Sequence, residues 1–247
     1  MRMSTITKSL QELLTPGETW NSDQLWDLHG IQSEQCLSYV AWNRSTHEAI
    51  VVDPKDTDLE AYRNLSMGEL KGYTWLAVID THTHADHISC AADLASELKA
   101  PLVMHAEAPS KRVDLRVSRT TRIPSIASPI ELLITPGHTQ DSLTPIWGPF
   151  IFGGDTVLFG DTGRDDLPGG NAADHFESIQ LIKKFATPQS ILLPGHDHKG
   201  GRASTWATQL KINSSLTQPR EQFIQESEAF DAPAPELLKK SLKENFK

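Results

Sequence analysis

The run Thr81-His82-Thr83-His84-Ala85-Asp86-His87 constrains this chain more than any other stretch, because three imidazoles and one carboxylate fall within 82–87. Imidazole and carboxylate are ligands of zinc and non-haem iron. Crowded together without a cation, they would be polar groups competing for too few partners. The apolar run Leu76-Ala77-Val78-Ile79 precedes the cluster and reads as a short buried strand; 88–100, with Leu94, Leu98 and small alanines, reads as a helix. The cluster therefore belongs on a loop at the carboxyl end of a strand.

Three more stretches repeat that arrangement. Glu131-Leu132-Leu133-Ile134 runs into Pro136-Gly137-His138, Phe150-Ile151-Phe152 runs into Gly153-Gly154-Asp155, and Ile191-Leu192-Leu193 runs into Pro194-Gly195-His196-Asp197-His198. Each is an apolar strand that ends on a His or Asp, and glycine stands directly before His138, Asp155 and His196. Glycine permits the sharp turn and close backbone approach that a buried polar site needs. Four strand ends carrying the same chemistry point to one shared site.

The rest of the chain sets bounds. Its 247 residues suffice for a single domain with a large core, and 38% hydrophobic with 22% charged residues is ordinary globular composition. A net charge of −9 argues against nucleic acid or an anionic membrane as partner. No apolar run approaches the roughly 20 residues that span a bilayer. Two cysteines, Cys36 and Cys90, suit a reducing compartment, so a cytoplasmic location is expected. Cys90 is read as a small buried hydrophobe and His105 as a structural side chain at the end of a strand over 102–105.

The opening 14 residues read as an amphipathic helix using Ile6, Leu10, Leu13 and Leu14, in preference to a weak transit peptide. Strands are expected over 37–42 and 49–52, joined by a polar hairpin loop over 43–47, with Asp53-Pro54 ending the second. Helices are expected over 58–65, 176–185 and 202–210. The segment 106–128, rich in Arg, Ser and Thr, reads as an irregular connection. The stretch from about 200 to 247 reads as a helical extension of the same domain, interrupted by Pro233 and Pro235.

These motifs resemble the metallo-β-lactamase superfamily. His82, His84, Asp86 and His87 match its first signature, and His138, Asp155 and His196 match its later ligand positions. The resemblance implies an α/β fold, an αββα sandwich of two mixed β-sheets flanked by helices. Gly163-Arg164-Asp165-Asp166, following Asp155, is similar to the Gly-Arg-x-Asp signature of the persulfide dioxygenases, a branch that itself resembles glyoxalase II. Three positions depart from that branch. Thr162 stands where cysteine is common, His198 where tyrosine is common, and Ser215 where an arginine belongs. The tyrosine and arginine are linked in the family to holding glutathione.

Two metal arrangements follow from the resemblance. In one, His82, His138 and Asp155 bind a single Fe(II), and His84, Asp86, His87 and His196 stand behind them, orienting ligands and water. The reaction would then be oxidation of a thiol persulfide by dioxygen to sulfite, with glutathione persulfide or a smaller persulfide as substrate. In the other, His82, His84 and His138 bind one zinc-like ion, Asp86, His87 and His196 bind a second, and Asp155 bridges them. A hydroxide between the ions would attack a thioester or lactone. The Gly-Arg-x-Asp signature favours the dioxygenase.

Asp86 and Arg164 are the expected catalytic residues, and Arg164 and His198 the expected substrate contacts. For Arg164, a clamp on a substrate carboxylate and a salt bridge to Asp165 or Asp166 are equally compatible with its surroundings. Asp161 reads as a turn residue. The expected partners are a small thiol or persulfide and dioxygen, with room for a homodimer. A non-catalytic electron-transfer module on the same scaffold is disfavoured by the complete ligand set.

Overall fold

The structure is a computed structural model that describes residues 6–14, 25–197, 203–230, 233 and 238–247. It is built on two mixed sheets. The first holds, in spatial order, β1 (Ile6–Ser9), β2 (Trp26–Ser33), β3 (Cys36–Asn43), β4 (Glu48–Val52), β5 (Thr74–Ile79), β6 (Leu102–His105) and β7 (Leu115–Val117). The second runs from β13 (Ser204–Thr205) through β12 (Ile191–Pro194), β11 (Phe150–Gly154), β10 (Leu143–Trp147) and β9 (Ile130–Ile134) to β8 (Thr121–Ile123).

Strand periodicity produces the layers. Successive side chains point to opposite faces, so a strand buried on both sides serves two cores. Leu37, Tyr39 and Ala41 of β3 join Ile50, Val52, Phe150, Phe152 and Leu193 between the sheets. Their neighbours Val40 and Trp42 face outward and pack with Tyr62 and Leu94. Those two residues come from α2 (Leu59–Met67) and α3 (Ala91–Leu98), which cover the first sheet. On the far side, Leu133, Ile151 and Leu192 pack against Ile179, Trp206 and Phe223. These three belong to α4 (Ala172–Phe185), α5 (Trp206–Ile212) and α6 (Arg220–Glu228). The result is the expected αββα sandwich.

Several local expectations change. Of the amphipathic helix expected over 1–14, residues 1–5 lie outside the described residues, and 6–13 form a strand, β1, paired antiparallel to β2, followed by a single helical turn, α1 (Leu10–Leu13). Pairing with the free edge of β2 satisfies the backbone over 6–9, and Leu10 and Leu13 still reach the core. The segment 106–128 is not wholly irregular. It contains β7 and β8, which add to opposite sheets, so this stretch carries the chain from one layer to the other. Strands β2 and β10 also go beyond the strands expected from sequence. The C-terminal stretch is mainly helical where described, through α5, α6 and α7 (Leu238–Asn245), but the helix expected over 202–210 begins only at Trp206, because Ser204–Thr205 pairs with β12 as β13. No helix among the described residues is long and apolar enough to cross a membrane.

Strand direction positions the site. β9 and β11 are each antiparallel to β10, and β12 is parallel to β11, so β9, β11 and β12 release their loops at one edge. The loop after β5 meets them there, where the Leu143 amide donates to the Thr81 carbonyl at 2.6 Å.

Candidate metal centre

The four strand-end loops bring all seven expected side chains together. Each histidine of the principal group has one ring nitrogen committed to an acceptor, which leaves the other for a cation. The Thr81 hydroxyl donates to Asp53 (2.9 Å) and lies 3.0 Å from Nδ1 of His82. It therefore receives the Nδ1 proton and leaves the His82 Nε2 lone pair available. His138 Nδ1 donates to the Arg164 carbonyl at 2.6 Å, and its Nε2 lies 3.6 Å from Asp155 Oδ2. His82, His138 and Asp155 can each place one ligand atom within 4.8 Å of the others.

Asp86, His87 and His196 meet in a second network. His196 bridges two carboxylates, with Nδ1 2.7 Å from Asp155 Oδ1 and Nε2 2.9 Å from Asp86 Oδ2. The same Asp86 oxygen faces His87 Nδ1 at 3.3 Å and accepts from the Cys36 thiol at 3.0 Å. His84 turns Nε2 to Asp53 at 3.2 Å. His84 thus groups with Asp86 and His87, or with Asp53 and Asp80, rather than with His82 and His138 as the two-ion arrangement expects.

The donor set fits a cation. His84 Nδ1 and His87 Nε2 are buried with no hydrogen-bond partner, a costly state that a bound ion or water would relieve. Electrostatics agree. Burial, reinforced by the neighbouring His84 and His138, holds His82 well below the usual histidine range, and burial also lowers His138. Both present neutral lone pairs. Burial pushes Asp155 up, but His196, His138 and His82 outweigh it and keep the carboxyl ionised. Asp86 behaves likewise through His196 and His87. Deep burial and the nearby Asp53 charge push Asp80 up to about 6, against the opposing pull of His84.

Close approach accounts for two of the glycines. A Cβ on Gly195 would meet Asp155 Oδ1 at 2.6 Å, and one on Gly137, whose φ is 145°, would overlap the His175 backbone.

The cluster lies at the base of a cavity of about 750 Å³. Phe159, Leu167 and Phe230 contribute to its apolar wall, and Arg164 reaches the same wall. The Arg164 guanidinium forms a two-pronged pair with Asp166 (2.7 Å on each prong), donates to the Pro233 carbonyl at 2.8 Å, and lies over the Phe230 ring. Asp161 is a turn residue whose carboxylate accepts from the Thr162 amide. His198 lies outside the described residues. His105 and Cys90 are buried, as expected, with His105 Nδ1 accepting from the Glu107 amide.

Sequence reasoning missed three contributors. Asp53 accepts from the Thr81 amide and hydroxyl, and Asp141 accepts from the Thr83 amide and hydroxyl, so two carboxylates fix the loop from opposite sides. Asp53 also ends a buried strand, the signal that marked the other four loops, but reads from sequence as a strand terminator. Cys36, at the start of β3, faces Asp86 and the cavity, and only long-range folding places it there.

No family model matches the chain. Mouse mitochondrial persulfide dioxygenase ETHE1 is 29% identical over 205 residues, covering 81% of this chain and 79% of that protein. The probable polyketide biosynthesis zinc-dependent hydrolase PksB of Bacillus subtilis is 30% identical over 169 residues, covering 64% of this chain and 71% of that one. The crystal structure of ETHE1 from Myxococcus xanthus superposes with a TM-score of 0.79 at 26% identity, over 89% of this chain and 97% of that one. The chain belongs to the metallo-β-lactamase superfamily. Its His/Asp clusters are those of a metal-dependent enzymatic fold with room for one or two ions.

Proposed function

We propose that this metallo-β-lactamase-fold protein is a non-haem iron persulfide dioxygenase. The observation that carries the reading is the separation of the donors. His82, His138 and Asp155 form a group of two imidazoles and one carboxylate, while both nitrogens of His196 are taken up by Asp155 and Asp86. Two histidines and a carboxylate on one face suit Fe(II) with open positions. The similarity to ETHE1 proteins in sequence and fold supports the same branch.

When bound, iron would supply the redox chemistry that joins a persulfide to dioxygen. The balanced reaction takes one persulfide, one dioxygen and one water to one thiol and one sulfurous acid. The two sulfurs together lose four electrons, which dioxygen gains, as the S–S bond breaks and the inner sulfur leaves as the thiol. The chain's own groups prepare the site. Thr81 and the Arg164 carbonyl fix the two histidine tautomers, and His196 anchors one Asp155 oxygen so that the other faces the donors. The apolar wall limits water at the reacting sulfur. With its fork on Asp166, Arg164 offers a screened charge to a substrate carboxylate. Together with serine at position 215, this favours a persulfide smaller than glutathione persulfide.

The test is oxygen uptake with sulfite detection on glutathione, cysteine and coenzyme A persulfides, alongside metal analysis. One iron per chain and sulfite matching oxygen consumed are expected.

One observation favours a second reading. The unpartnered His84 Nδ1 and His87 Nε2 suit additional coordination, as in a two-ion hydrolase of thioesters or lactones. Cleavage of S-lactoylglutathione or a lactone, two zinc ions per chain and no oxygen uptake on any persulfide would establish it.

A further inference from the structure

The last helix ends on a side chain that reaches the metal loop. Asn245, the final residue of α7, accepts a hydrogen bond from the Ser89 amide at 3.0 Å. Its side-chain nitrogen donates to the His84 and His87 carbonyls, each at 2.9 Å. The amide orientation follows from the partners, since two carbonyls require the NH2 group and an N–H requires the oxygen. One side chain thus satisfies three backbone groups across the turn that carries His84, Asp86 and His87, from 156 to 161 residues away in sequence. Ser89 is itself a junction, because its hydroxyl donates to Asp80 and accepts from the Ala91 amide at the start of α3.

We infer that Asn245 is a positioning residue of the metal centre: the C-terminal helix closes the turn over 84–89 and sets the direction of the His84 and His87 rings. The inference rests on the reading of this cluster as a metal centre, whichever ion and stoichiometry it takes. The neighbouring exposed pair, Glu244 with Lys247, serves as the control because its ion pair lies within the same terminus.

The experiment compares the full chain with Asn245→Ala, Asn245→Asp and Glu244→Ala. Amide hydrogen exchange on metal-free protein should show residues 84–89 exchanging about 10-fold faster in Asn245→Ala, with helix content unchanged. Cobalt(II) serves as the spectroscopic probe. Its visible spectrum should change, and its release to a chelator should accelerate about 10- to 100-fold, the usual effect of removing a group that orients ligands. Asn245→Asp keeps the acceptor for Ser89 but places a carboxylate against two carbonyls, so it should lose as much as alanine. Glu244→Ala should match the unaltered protein.

Unaltered exchange over 84–89 in Asn245→Ala would overturn the inference, as would an Asn245→Asp protein with the original spectrum and release rate. An unaltered chain that takes up no cobalt would instead overturn the metal-centre reading. The two failures are distinguishable because exchange is measured without metal.

Discussion

Replacing His196 with alanine separates the one-ion and two-ion arrangements. The substitution deletes two short contacts, 2.7 Å to Asp155 and 2.9 Å to Asp86, and leaves both carboxylates in the interior without their common cation. Hydrogen bonds to charged groups are worth about 1.5–3 kcal/mol each, and breaking a buried pair from one side costs about 3–5 kcal/mol. The metal-free variant should therefore lose about 3–5 kcal/mol in urea unfolding. With iron bound, the ion neutralises Asp155 and the cost is smaller. Loss of the anchoring contact should weaken iron binding about 10- to 100-fold, or about 1.4–2.8 kcal/mol. Elemental analysis at saturating iron should still find one ion per chain, and chelator titration should find the weaker affinity. A fall from two ions to one would establish the dinuclear arrangement. Complete loss of metal would refute the placement of His196 behind the ligands.

Other outcomes follow from the same geometry. His138→Ala and Asp155→Ala should each abolish both metal content and turnover, since each removes a donor of the principal group; retention of full metal in either would contradict that group. Gly195→Ala should bind metal poorly and melt at a lower temperature, because the added methyl meets Asp155 Oδ1 at 2.6 Å and the Gly154 backbone at 3.0 Å; metal titration beside a thermal melt checks this. Glu48 accepts from the Ile126 and Ala127 amides and the Thr46 and Ser125 hydroxyls, tying the crossover segment to β4. Burial pushes this carboxyl up, but the four hydrogen bonds outweigh it and the net shift is downward. Its contribution should be complete above the unfolded value of about 4.3 and fade as pH falls through the lower folded value. Glu48→Ala should cost about 2–4 kcal/mol at pH 7 and flatten that acid limb, measured by urea unfolding across pH.

The strands that carry the candidate donors were legible in the sequence alone, and the sandwich followed from the resemblance to the metallo-β-lactamase superfamily. Alternation in 37–42 and apolar runs at 76–79, 150–152 and 191–193 reflect local backbone geometry, so they survive without knowledge of any partner. The polar residues closing those runs are legible for the same reason: position along a strand is a local property. Where local signals were weak, tertiary pairing decided. Ile6–Ser9 became a strand because the β2 edge was available, and the polar segments of β7 and β8 became strands by adding to existing sheets.

How the candidate ligands divide their contacts depends on tertiary packing. Whether a histidine offers Nδ1 or Nε2 depends on which acceptor holds its other nitrogen, and those acceptors are Asp53 for His84 and the Arg164 carbonyl for His138, while Asp155 and Asp86 take up both nitrogens of His196. The reach of Arg164 to Pro233, the thiol of Cys36 on Asp86, and the reach of Asn245 across the candidate metal loop are likewise products of packing, whereas the pairing of Arg164 with Asp166, two residues on, was already open to sequence reading. Sequence spacing encodes which faces a strand or helix presents. It carries no comparable signal for hydrogen bonds between residues dozens to more than a hundred positions apart, because the chain must first fold for those partners to meet.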